Sequence, residues 1–94
     1  MKLFKSVDDK LADIGFEKIA DNEYYVAYKR KDPVRKFTQC LDIIHKSSGR
    51  HLVQSYDEDL RDTKNIGNVC VGLTAREMKL ALKKMSQKGW RRYG

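Results

Sequence analysis

The chain has 94 residues, 35% of them charged, and a formal net charge of +7. That length suits one domain with a modest core, and the absence of any long apolar run excludes a membrane-spanning helix. Mean hydropathy is low, at −0.71, yet aliphatic and aromatic residues recur with clear periodicity, which argues for a folded domain against disorder.

The opening MKLFKSVDDK places only Leu3 and Phe4 between charges, too little for the apolar region of a signal peptide. A soluble, cytoplasmic protein is expected. Ser6 and Asp9 form a capping-box pattern, and Val7, Leu11 and Ile14 follow at helical spacing. A first helix is therefore expected over 7–14, ended by Gly15 with Phe16 as its hydrophobic partner. Residues 16–20 read as a short strand and Asp21-Asn22 as a turn. Residues 23–30 form a second strand, with Tyr24, Val26 and Tyr28 on one face and Tyr25, Ala27 and Lys29 on the other. The segment 29–36, KRKDPVRK, is expected to be a basic loop turning at Asp32-Pro33.

Residues 37–56, FTQCLDIIHKSSGRHLVQSY, read as a β-hairpin closed by Ser47-Ser48-Gly49. A three-residue loop with Gly49 in the left-handed conformation places His45 opposite His51, Ile43 opposite Val53, Leu41 opposite Ser55 and Cys40 opposite Tyr56. Phe37, Leu41, Ile43 and Val53 then share the core face. A two-residue Ser48-Gly49 turn is the rival; it slips the register by one and exchanges the faces of one strand.

Residues 57–68 are polar, and Arg61 and Asp62 stand where a calcium loop needs an oxygen ligand and a glycine, so no calcium site is expected. Residues 68–73 suggest a short edge strand. Thr74 and Glu77 then cap a second helix over 75–88, stopped by Gly89. Its expected apolar stripe is Ala75, Met78, Ala81, Leu82 and Met85, with Arg76, Lys79, Lys83 and Lys84 opposite and Leu80 among them. Trp90 should fold back on the helix end. The order predicts an α+β fold: an antiparallel meander of four to five strands with an N-terminal and a C-terminal helix on one face. Residues 1–90 form the domain and 91–94 a short basic tail.

Little here points to catalysis. His45 and His51 are the only histidines, and two ligands do not make a zinc site. Ser47 or Ser48 beside a histidine at a hairpin tip has no pocket and no oxyanion hole. No phosphate-cradling glycine loop is present. Cys40 and Cys70 lack metal-site spacing and read as buried reduced thiols. No catalytic residue, metal or cofactor is expected.

The opening SVDDKLADIGF, the hairpin DIIHKSSGRHLVQSYD and the segment GLTAREMKLALKKMSQKGW resemble small uncharacterised proteins of phages, prophages and integrative elements of Gram-positive bacteria. The resemblance covers most of the chain. It implies a soluble accessory protein of a mobile element, and it carries over no activity and no functional residue.

Charge distribution is the remaining clue. Residues 29–36 carry five basic side chains and one acid, and residues 76–92 carry seven and one. The two stretches hold +10 of a chain whose total is +7, which leaves the rest at −3. Such asymmetry suggests an anionic partner, nucleic acid first. The candidate contacts are Lys29, Arg30, Lys31, Arg35 and Lys36 in the loop and Arg76, Lys79, Lys83 and Lys84 on the second helix. No helix-turn-helix, zinc-finger or RRM pattern accompanies them. A protein-binding inhibitor or adaptor acting on a host protein, or a homo-oligomeric structural component, is the alternative. Leu80, set among basic residues, would mark that interface if exposed.

Overall fold

The computed structural model describes residues 5–32, 34, 37–58 and 70–90. Leu3, Phe4, Pro33, Arg35, Lys36, most of the polar 57–68 loop and the 91–94 tail lie outside the described residues. The element order is α1 (Val7–Asp13), β1 (Glu17–Asp21), β2 (Tyr25–Lys31), β3 (Thr38–Ile44), β4 (Leu52–Asp57) and α2 (Ala75–Gln87). The four strands form an antiparallel sheet in the order β1-β2-β3-β4, and the fold is α+β.

Local chemistry sets the boundaries. Ser6 Oγ accepts the Asp9 N–H at 3.0 Å and the Asp9 carboxylate accepts the Ser6 N–H at 3.2 Å, so α1 starts with both halves of its capping box. Gly15 has φ +96°. The turn it makes lets the Phe16 N–H reach the Leu11 carbonyl at 2.8 Å and tucks the Phe16 ring into the core. Asn22 Oδ1 accepts the N–H groups of Tyr24 and Tyr25, which holds 22–24 as a turn and delays β2 to Tyr25.

The hairpin has the three-residue loop. Gly49 has φ +86°, and its N–H meets the Lys46 carbonyl at 2.9 Å. Ile44 pairs with Leu52, Ile43 with Val53, Leu41 with Ser55 and Cys40 with Tyr56. The slipped register is not adopted. Leu41 and Ile43 are wholly buried, Val53 packs beside them, and Phe37 is half-buried.

Three expectations are corrected. The basic loop expected over 29–36 begins later: Lys29 and Arg30 lie in the strand expected over 23–30 and Lys31 extends it, because their pairing with Cys40, Gln39 and Thr38 continues the ladder through the charge run. The edge strand expected over 68–73 reduces, among the described residues, to a bridge between Cys70 and Tyr56 and one bond from the Val71 N–H to the Ser55 carbonyl. Helix α2 is turned about its axis: it buries Glu77, Leu80, Ala81, Lys84 and Met85, while Met78 is 38% exposed and Ala75 is exposed. The reason is electrostatic. Partly buried partners, Arg30 and Asp8, receive Glu77 and Lys84, so the side with two charges is the side that faces in.

Both helices pack on one face of the sheet. Val7 and Leu11 from α1 join Val26, Tyr28, Leu41 and Ile43 from the strands, and Leu80, Ala81 and Met85 from α2 close the cluster. Trp90, just past Gly89 with its φ of +78°, folds back beneath the hairpin tip.

Candidate anion-binding surface

Nine basic residues are candidates from sequence, and the structure separates them. Arg30 alternates onto the helix-covered face. Its guanidinium donates to the Glu77 carboxylate at 2.8 Å, to the Ile14 carbonyl at 3.2 Å and to Gln39 Oε1 at 2.7 Å, and it lies 4.2 Å from the centroid of the Phe16 ring. Gln39, only 3% exposed, passes the network on to Ser55 Oγ at 2.8 Å. With its guanidinium bonded to three groups and its side chain three-quarters buried, this arginine holds β2, β3, α1 and α2 together and is withdrawn from the ligand surface.

Lys84 is likewise turned inward. Its ammonium lies 3.1 Å from Asp8, and its side chain is 11% exposed. Asp8 also accepts from the Tyr28 hydroxyl at 2.6 Å and from Lys18 at 2.8 Å. Burial alone would raise the Asp8 carboxyl, but the hydrogen bonds from Lys18, Tyr28 and Lys84 outweigh it and bring it down to about 2. The Tyr28 hydroxyl is pushed well up, by burial first and then by its hydrogen bond to Asp8. Beside this cluster Asp21 accepts from Lys88 at 2.6 Å and from Lys18 at 3.1 Å.

Lys29 and Lys31 point to the opposite face of the sheet. Lys29 is paired with Glu58, and Lys31 is exposed at the end of β2. Arg35 and Lys36 lie outside the described residues. Three candidates remain together. Arg76, Lys79 and Lys83 are exposed on the outer side of α2, and among the described residues none has an ion-pair partner. Their i, i+3, i+7 spacing puts them on one ridge spanning roughly 10 Å at 1.5 Å per residue. The structure therefore gives a short basic ridge on one helix in place of a merged loop-and-helix surface.

Leu80 is 7% exposed and belongs to the core, so it marks no interface. Met78 takes the outward position instead. Cys40 is buried and its thiol is pushed up by burial, but Cys70 is exposed, against the expectation of two buried thiols. His45 and His51 face each other with their Nδ1 atoms 3.2 Å apart. The Lys46 N–H also points at His51 Nδ1, at 3.3 Å, which makes that nitrogen the acceptor and His45 the donor. The His45 ring stacks in turn on Trp90. Sequence reasoning placed the histidine pair and the tryptophan latch separately and missed that they form one stack, because residues 45 and 90, far apart in the chain, meet only through the tertiary fold.

Among the described residues no three His, Cys, Asp or Glu side chains converge on a point that could hold a metal ion. No helix among them is long and apolar enough to cross a membrane. No protein-family model, no curated protein and no solved structure matches the chain.

Proposed function

We propose that the protein is a non-catalytic binding module for an anionic partner, and that the nucleic-acid backbone is the partner it fits. The observation that carries this reading is the ridge of Arg76, Lys79 and Lys83, three exposed cations on one side of α2 with no ion-pair partner among the described residues. A net charge of +7 adds a long-range attraction to any polyanion. The ridge reads charge spacing and not bases, so sequence preference is slight. The reading places the protein in the cytoplasm, and it suits the accessory role in a mobile element that the sequence resemblance implies.

Fluorescence anisotropy with single- and double-stranded DNA and RNA tests it. Three phosphate contacts give a log–log salt slope of about −2.7, hence about forty-fold weaker binding at 200 than at 50 mM salt. The double substitution Lys79→Glu with Lys83→Glu flattens that slope and leaves the melting temperature unchanged. Binding weaker than about 100 μM at 50 mM salt, below generic non-specific association, rejects the reading.

A further inference from the structure

The two edges of the sheet are treated differently. On β1, the register shifts between Lys18 and Ala20, and Lys18 and Asp21 are tied into ion pairs. A bulge and charged side chains are the usual means of keeping other strands off an edge. At the other edge, β4 carries no charge from Leu52 to Tyr56 and pairs with β3 without interruption in register.

The direction of the backbone groups on β4 follows from one bond. The Ser55 carbonyl accepts the Val71 N–H from the side away from β3. Groups alternate along a strand, so the N–H and C=O of Val53 point the same way, toward the open side. Among the described residues neither finds a backbone partner there. The chain itself begins a fifth strand, with Cys70 opposite Tyr56 and Val71 bonded to Ser55, and then parts from β4 before reaching Val53. Between the parted segment and the strand lies a groove of about 590 Å³, walled by Val53, Ser55, Val71, Leu73 and Met78. Its lining is mostly apolar, with Asp42, Gln54 and Ser55 as polar members, and the exposed Met78 is a flexible side chain suited to moulding round an incoming one.

We propose that this groove accepts an extended peptide segment of a partner protein, apolar at alternate positions, which adds to the free edge of β4 as a further strand. The unpaired groups of Val53 supply the ladder bonds and the groove takes the alternate side chains. The ladder that Cys70 and Val71 start fixes where the new strand lies. A second copy of the chain fits less well, because it would bring its own segment 70–73, bonded to its own β4, into the same space.

Selection of a phage-displayed library of linear heptapeptides on the whole protein tests this. The expected result is enrichment of sequences with apolar residues at alternate positions. A synthetic peptide of the enriched sequence should shift the amide resonances of Val53, Ser55, Val71 and Leu73. N-methylation of its backbone at alternate residues should weaken it at least tenfold. Met78→Lys, at an exposed position that leaves the core intact, should weaken it by a similar factor with the melting temperature unchanged. No enrichment overturns the proposal, as do resonance shifts confined to other surfaces. Concentration-dependent shifts of Val53 and Ser55 without peptide also overturn it, in favour of self-association at that edge.

Discussion

His45 and Trp90 stack with ring centroids 5.1 Å apart and planes within 17° of parallel, which fastens the end of α2 to the tip of the β3–β4 hairpin. Trp90 is also held by its own N–H, which donates to the Met85 carbonyl at 3.1 Å. Trp90→Ala should cost about 3–5 kcal/mol, as aromatic truncations in cores do. Trp90→Phe keeps a ring over the imidazole and should cost less than half as much. Urea melts of the two variants, read side by side, check the ranking.

The Arg30–Glu77 pair gives a sharper test, because it separates the value of a pair from the harm of breaking it. Glu77→Ala strands a largely buried guanidinium and removes half of the α2 capping box. A loss of about 3–5 kcal/mol is expected. Arg30→Met combined with Glu77→Leu removes both charges and should recover most of it, since apolar replacements of a buried pair are often neutral. A double variant no more stable than Glu77→Ala would show that the arginine's other contacts, to Ile14, Gln39 and the Phe16 ring, matter more than its charge partner.

The rotation of α2 is directly measurable. Leu80→Ala should cost about 2–5 kcal/mol. Met78→Ala, at an exposed position, should stay within about 0.5 kcal/mol. The opposite ranking in denaturant melts would place the other side of the helix inward. Thr74→Ala should cost about 1 kcal/mol through loss of its bond to the Glu77 N–H, whatever the rotation.

Asp8 makes stability depend on pH in a defined window. Its carboxyl sits at about 2 in the folded protein, below the ordinary value of 3.8. A depressed carboxyl contributes stability that is present above the unfolded value and is lost as pH falls through the folded one. The loss therefore runs from about pH 4 down to pH 2. After allowance for the part of the side chain that water reaches, it amounts to about 1–2 kcal/mol. Asp21, lowered by its bond from Lys88 with burial opposing, adds in the same direction. Urea midpoints of the wild type and Asp8→Asn, taken at intervals between pH 6 and 2, should converge across that window and stay parallel above it.

How much of this was legible in the sequence depended on the range of the interaction. The hairpin register follows from Ser47-Ser48-Gly49, because the loop and its left-handed glycine are adjacent in the chain. Both helix starts follow from capping boxes that span four residues, Ser6–Asp9 and Thr74–Glu77. The face of α2 followed in part: Ala81 and Met85 are buried as expected, but the inward turn of Glu77, Leu80 and Lys84 is decided by Arg30, 47 residues from Glu77, and by Asp8, 76 residues from Lys84. Hydrophobic periodicity counts both charges as solvent-facing. The same blindness overfilled the basic surface: Arg30 and Lys84 contribute to net charge in any sequence window, but their partners lie far along the chain. Arg76, Lys79 and Lys83 were legible because three cations at helical spacing share a side wherever the helix is turned. The groove beside β4 was hidden because Val71 and Leu73 alternate like a full strand, and nothing local says that the chain parts from its neighbour there.

The bonds from Lys84 and Tyr28 to Asp8 have a consequence for the order of assembly. The chain is synthesised from its N-terminus, and α1 and all four strands are made before α2. Until then Val26, Tyr28, Leu41 and Ile43 face water on the side that Leu80, Ala81 and Met85 will cover. A chain without α2 has an apolar face covered only by α1 and, at β4, an exposed edge, the combination that invites aggregation or a chaperone. The Asp8–Lys84 pair thus joins α1 to α2 and completes the core only when both ends of the domain are present.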